Sequence, residues 1–387
     1  MTWSMLVALI ALGVAVFALL TAWKNQAALA AYKKRLSRGQ HTPAARAAAE
    51  NDGPPVVVYN PTKKADFDYL KQTLSRVAAD ASLPEPVWLA TTAEDTGTGQ
   101  TKQAIEMGAS VVIAAGGDGT VTEVGAALAG SGVPMGLLPV GTGNLLARNL
   151  NLPLDSERDM AVIALTGRDR ALDLGHMIVP EQDADAAELA AALKRDHTSA
   201  ELAKPGDYPF LVIAGVGFDA EIMGGTSSQL KEQIGWLAYV RAAIPAAFAK
   251  RMHLTLRVGS GAADETAVVE TDARSVMFLN CGEITGGLVL DPDAKPDDGW
   301  LELAVLDTRG GIFGWAALAS KLGTGMRAPK NKSLSGQIGS MDMHRIREVS
   351  VETRTFQQIQ ADGDAYGYAR SVCARIDPAV LRVRVGN

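Results

Sequence analysis

Short apolar runs alternate with longer amphipathic stretches over the first half of the chain. Val56-Val57-Val58-Tyr59, Val87-Trp88-Leu89, Val111–Ala115 and Val133–Pro139 have the length and content of buried strands. Phe67–Ala81, Thr101–Met107, Val121–Ala129 and the stretch from Leu145 to Asn149 read as helices. Pro84 and Pro86 close the first of them. This alternation has βαβ spacing and predicts a doubly wound parallel sheet. From about Asp173 the pattern changes. Tyr208–Ala214, Leu254–Val258, Thr266–Glu270, Ser275–Asn280, Leu301–Leu306, Glu348–Glu352 and Gln357–Gln360 read as strands. Leu230–Phe248 and Gly314–Leu322 are the helical stretches there. A mainly antiparallel β-sandwich is expected, with residues 181–206 as a charged, Ala-rich surface insertion carrying a helix.

The N-terminus follows neither pattern. Met5 to Trp23 is almost wholly apolar, with Thr21 its one clearly polar side chain. About nineteen such residues suffice for a bilayer-crossing helix. No Lys or Arg precedes the run, which disfavours a cleaved signal peptide. Lys24, Lys33, Lys34, Arg35 and Arg38 follow it, so the rest of the chain is expected on the cytoplasmic side. Trp3 and Trp23 bracket the run as interfacial anchors. The expected class is therefore α/β plus all-β behind a transmembrane helix. Its parts are residues 1–53 (anchor and linker), 54–173 (α/β nucleotide domain) and 174–387 (β-sandwich). Residues from about 375 onwards are left open to return to the first domain. The expected location is the cell membrane, in a single pass.

Composition changes this picture little. The chain has 387 residues, 47% apolar and 21% charged, enough for two packed cores. A net charge of −6 without a basic stripe argues against a nucleic-acid partner. Cys281 and Cys373 match no zinc or redox spacing, and the five histidines show no metal-ligand pairing.

The candidate chemistry lies where strands end. Val111–Ala115 runs into Gly116-Gly117-Asp118-Gly119-Thr120, and a helix opens at Val121. Glycines let backbone N–H groups approach a phosphate closely, and a helix start favours an anion. Asp118 would repel a phosphate, so a bridging Mg²⁺ is expected. Val140-Gly141-Thr142-Gly143-Asn144 and Asn60-Pro61-Thr62-Lys63-Lys64 follow two further strands in the same way. Three such turns at the carboxyl ends of neighbouring strands point to a nucleotide. The chain has no Walker A motif and no dinucleotide glycine spacing.

These turns resemble the diacylglycerol kinase catalytic domain family, which is related to sphingosine kinases and, distantly, to NAD kinases. Leu172-Asp173-Leu174-Gly175, Gly215-Val216-Gly217-Phe218-Asp219, Asp297-Asp298-Gly299-Trp300-Leu301 and Gln360-Ala361-Asp362-Gly363-Asp364 extend the resemblance in order over residues 54–387. It implies that Asn60, Pro61, Thr62, Lys63, Lys64, Thr92, Gly116, Gly117, Asp118, Gly119, Thr120, Val121, Thr122, Gly141, Thr142, Gly143 and Asn144 line ATP. It further implies that Asp118 and Asp173 hold Mg²⁺ through water. Asp298, with the carbonyls of Lys295 and Trp300, would bind a second, structural Mg²⁺. Asp364 takes the place of the general base, with Asp362 beside it. Leu145 stands where the family often has Asp, and Asp364 where it usually has Glu. The implied activity moves the γ-phosphoryl of ATP to a lipid hydroxyl, diacylglycerol first. A sphingoid base or NAD as acceptor, or a membrane-tethered nucleotide sensor without turnover, are the alternatives. Expected partners are a membrane lipid and the bilayer, with a homodimer left open.

Overall fold

A computed structural model of the chain describes residues 53–182, 186–193, 201–217, 251–259, 266–284, 288–308 and 339–386. Strands β1 (Val56–Tyr59), β2 (Val87–Ala90), β3 (Val112–Ala115) and β4 (Met135–Leu137) form the parallel part. Helices α1 (Phe67–Asp80), α2 (Thr98–Glu106), α3 (Asp118–Leu128), α4 (Leu145–Asn149) and α5 (Glu157–Thr166) alternate with them. Asp66 caps α1 by accepting the Tyr69 N–H at 2.9 Å, and Ser156 caps α5 by accepting that of Asp159 at 3.2 Å. Val56 to Val58 and Val112 to Ala115 are buried throughout, as a sheet covered on both faces requires. The strand order β2-β1-β3-β4 reverses direction between β1 and β3. The loops after those two strands therefore flank a topological switch point, where open α/β sheets receive ligands.

The remaining strands continue the same sheet. They are β5 (Arg168–Val179), β6 (Gly206–Phe210), β7 (Ile213–Gly217), β8 (Met252–Gly259), β9 (Thr266–Ala273), β10 (Ser275–Leu279), β13 (Leu301–Thr308), β14 (Gly339–Ile346), β15 (Glu348–Ala361) and β16 (Asp364–Val385). A separate two-stranded sheet pairs β11 (Glu283–Ile284) with β12 (Leu288–Val289), and α6 (Ala186–Leu193) lies in the expected insertion. The main path runs β14-β13-β10-β7-β15-β16-β4-β3-β1-β2. At its centre β16 pairs antiparallel with β15 and β5, and then parallel with β4 at Val383 and Met135. The two halves expected as separate sheets are thus hydrogen-bonded into one sheet of fourteen strands. Each half keeps its own core. One is built on β1, β3, α3 and α5, the other on Phe210, Phe278, Leu303, Val351 and Ile359.

Several expectations need correcting. Tyr208–Ala214 is not one strand. It breaks at Leu211 and Val212, whose N–H groups leave the ladder for the buried Asp362 carboxylate. Glu348–Glu352 and Gln357–Gln360 are parts of the single strand β15, which shifts register against β16 between Glu352 and Gln357. Helix α5 and strands β5, β14 and β16 were not legible as elements. The helical stretches Leu230–Phe248 and Gly314–Leu322 lie outside the described residues. So does Met5–Trp23. Among the described residues no helix is long and apolar enough to cross a membrane. The single-pass membrane placement read from the sequence is corrected accordingly: no described helix supports it.

Leu381 joins the halves energetically. It is fully buried in β16, in the core of the first half, against Gly125 of α3. Leu381→Ala is expected to cost about 2–5 kcal/mol, read as a lower midpoint in urea unfolding.

Candidate functional site

Three loops meet at the switch point. Asn60 N–H, after β1, donates to the Ala115 carbonyl at 3.1 Å, and its side-chain oxygen accepts the Thr62 N–H and hydroxyl at 3.0 and 2.7 Å. This turn carries Lys63 to Gly117, where a Cβ would lie 3.5 Å from the Lys63 ammonium nitrogen. Val140 N–H donates to the Gly116 carbonyl at 2.9 Å. A Cβ on Gly141 would stand 2.7 Å from the Gly117 Cα, so only glycine lets these backbones approach. Helix α3 begins at Asp118 behind Gly117, which offers no side-chain cap, so its first N–H groups have no partner within the helix.

Asp118 locks the second glycine loop to the first. Its carboxylate accepts the Asn144 N–H at 3.0 Å and the Leu145 N–H at 2.6 Å, and Asn144 adopts a left-handed conformation to present them. Burial raises the Asp118 pKa from 3.8 to about 6; the Leu145 N–H opposes the rise and the charge of Asp362 adds to it. The Leu145 side chain is buried in the core, so its backbone and not an acid meets Asp118. Arg148 reaches back from α4 and donates to the Gly143 carbonyl at 2.8 Å. Asn149 exchanges hydrogen bonds with the backbone of Glu283, at 2.8 and 3.0 Å, and so fastens α4 to the other half.

Two acids of the β15–β16 hairpin reach this site and do different things. Asp362 and Gly363 form the tip, both with positive φ. Asp362 turns inward. Its carboxylate accepts N–H groups from Leu211 (2.7 Å), Val212 (2.9 Å) and Ile213 (2.9 Å) and the Thr122 hydroxyl (2.7 Å). Burial pushes its pKa up, and the four hydrogen-bond donors oppose that rise. It does not face a cleft beside Asp364, as the sequence suggested. Asp364 is exposed, and its Oδ2 would be 2.8 Å from a Cβ on Gly119. A carboxylate from the second half therefore stands on the glycine turn of the first.

The remaining expected site residues divide. Thr92 is exposed at the end of β2, its hydroxyl accepting the Asp95 N–H at 3.1 Å, while the neighbouring Thr91 is buried. Thr142 is exposed on the second glycine loop and Gly143 is half-buried against Asp118; Thr120 packs beside Gly116. Pro61, Thr62 and Lys64 are exposed along the first loop. The Val121 side chain is in the core, and the Thr122 hydroxyl donates to Asp362. Asp173 accepts the Gly299 and Ala379 N–H groups through its carboxylate oxygens, both at 2.7 Å, and its nearest acids are Asp298 and Asp297 rather than Asp118. Burial raises its pKa against those two N–H groups.

Known proteins resemble this chain in its first half and in its fold. Residues 54–177 match the model of the diacylglycerol kinase catalytic domain. Over that segment the chain is similar to that family. A Yersinia pestis protein named "Probable lipid kinase YegS-like" is 27% identical over 243 residues, covering 60% of this chain and 67% of its own. The Synechocystis protein sll0036, which carries no functional name, is 26% identical over 67% of this chain; the match spans only 51% of that relative's length. A diacylglycerol kinase structure from Bacillus anthracis superposes with a TM-score of 0.62 at 18% identity, covering 87% of this chain and 98% of that one. The last likeness concerns the fold alone.

In this kinase-family domain the donors around the glycine loops suit a hard cation. Asp118 supplies carboxylate oxygens, and the Asn144 side-chain oxygen is buried beside Gly141 without a hydrogen bond. The expected structural metal site fits less well. Asp298 accepts the Trp300 N–H at 3.2 Å and is ion-paired with Arg345, and Asp297 pairs with Arg170 at 2.8 Å. Sequence reading missed Arg148, Asn149 and Glu123, which accepts the Thr98 hydroxyl at 2.5 Å. A basic and an amide residue within one turn of a glycine loop was the available signal for the first two.

Two measurements check these roles. Asp362→Ala strands four donors and is expected to cost at least about 3 kcal/mol. The exposed Asp364→Ala is expected to stay within about 1 kcal/mol of the parent in the same urea titration. Asp118 gives a pH signature. Its folded pKa lies above its unfolded one, so its stabilising contribution is present below pH 3.8 and is lost as pH rises through about 6. In metal-free buffer, Asp118→Asn is expected to gain on the order of 3 kcal/mol relative to the parent across that window. A pH-independent difference refutes the burial of this charge.

Proposed function

We propose that this protein is an ATP-dependent lipid kinase, with diacylglycerol as acceptor and phosphatidic acid as product. One observation carries the reading: Asp364 Oδ2 stands against Gly119 at the mouth of the glycine loops. A phosphoryl-transfer site needs two things there, a cradle for phosphate and a base for the attacking hydroxyl. The uncapped start of α3, the glycine turns and Lys63 supply the cradle. Asp364 supplies the base. It accepts the proton of the lipid hydroxyl while that oxygen bonds to the γ-phosphorus and the bond to the β–γ bridging oxygen breaks, releasing ADP.

Asp118 and the Asn144 oxygen would hold Mg²⁺ by the nucleotide, where the ion offsets phosphate charge. Asp362 is a positioning residue in this scheme. By binding Thr122 of α3 and the 211–213 backbone together, it sets the hairpin tip against the helix that begins the cradle. The lipid acceptor is supported by the name of the Yersinia relatives.

The test is purified protein with labelled ATP, Mg²⁺ and a panel of diacylglycerol, sphingoid bases, other lipids and NAD. Label is expected in phosphatidic acid. Label in no lipid, or in NAD alone, overturns the reading. Asp364→Asn is expected to lower kcat about 10²–10⁴-fold with little change in the KM for ATP.

A further inference from the structure

The loop from Asp291 to Trp300 gathers four aspartates, and two of them meet arginines from separate strands. Asp297 is paired with Arg170 of β5 at 2.8 Å. Asp298 is paired with Arg345 of β14, whose guanidinium also reaches the buried Glu302 at 3.1 Å. Strand pairing sets this geometry, because Arg345 lies directly opposite Glu302 in the β13–β14 ladder. The Arg345 guanidinium is 5.5 Å from the Trp300 ring centre, and that of Arg347 is 4.7 Å away. The loop backbone is tied separately. The Pro296 carbonyl accepts the Asp173 N–H, and the Gly299 N–H goes to the Asp173 carboxylate.

A divalent cation on Asp298 would have to displace the Arg345 guanidinium from that carboxylate or sit beside it. Like charges at that range repel strongly, and a hard cation demands a full shell of oxygens in return. Arg345 already meets the electrostatic need. Its planar fork joins two carboxylates at once through separate nitrogens, Nη2 to Asp298 and Nε to Glu302.

We propose that Arg345 is the resident cation of the 291–300 loop, and that this chain holds the loop without a structural divalent metal. The inference is independent of the kinase reading. It is tested on the full chain, free of nucleotide, by elemental analysis after dialysis against Mg²⁺ and by thermal unfolding in EDTA and in Mg²⁺. The parent is expected to show the same Tm in both buffers. Arg345→Gln is expected to lower Tm by about 2 °C and to regain it in Mg²⁺, because Asp298 is then without its counter-charge. Metal retained by the parent and by Asp298→Asn alike lies elsewhere and leaves the proposal standing. Metal near one per chain that Asp298→Asn loses, with a parent Tm that falls in EDTA, overturns it. If Arg345→Gln does not fold, the parent and Asp298→Asn decide the matter alone.

Discussion

The Asp362 carboxylate is the contact on which the rest of the arrangement depends. It is buried and accepts four hydrogen bonds, whose donors come from both halves of the chain. Thr122 belongs to the helix that follows the first glycine turn; Leu211 to Ile213 belong to the segment between β6 and β7. A buried carboxylate without those donors would be costly, so the hairpin tip, the helix and the segment are held together or not at all. Asp364 reaches Gly119 as a consequence. Two acids separated by one glycine thus have opposite environments and divided tasks, one in holding the fold and one at the surface of the site.

The shared sheet makes that contact possible. Strand β16 leaves the hairpin, crosses the molecule and ends beside β4, so the parallel and antiparallel parts are one hydrogen-bonded body. Asp173 and Asn280 reinforce the crossing. Asp173 binds the Gly299 and Ala379 backbone, and the Asn280 amide donates to the carbonyls of Leu211 (2.8 Å) and Asp173 (3.2 Å). Most of the acids that sequence motifs single out are therefore joints between segments. An aspartate beside a glycine has the same local appearance whether it grips a backbone or awaits a substrate.

The local elements were readable because burial writes itself into short-range pattern. Val56–Tyr59 and Val111–Ala115 are continuous apolar runs, and glycine at 116, 117, 141 and 143 marks close backbone approach. Other elements left no such mark. Strand β16 alternates weakly between two cores, and β5 carries charges at its start, so neither has a clean period. The break at Leu211 is illegible for another reason: its cause lies about 150 residues away, in Asp362.

By itself, then, the sequence determined the parallel α/β part and the convergence of three phosphate-type turns on one sheet edge. Those follow from periodicity and from backbone freedom at glycine, which are local properties. Only the tertiary structure decided which carboxylate is where. It turned Asp362 inward and Asp364 outward, gave Asp118 to the Asn144–Leu145 backbone, and set Arg345 on Asp298. Charge and hydrogen-bond partners are assigned by strands that meet across the fold, and no window of sequence contains both partners.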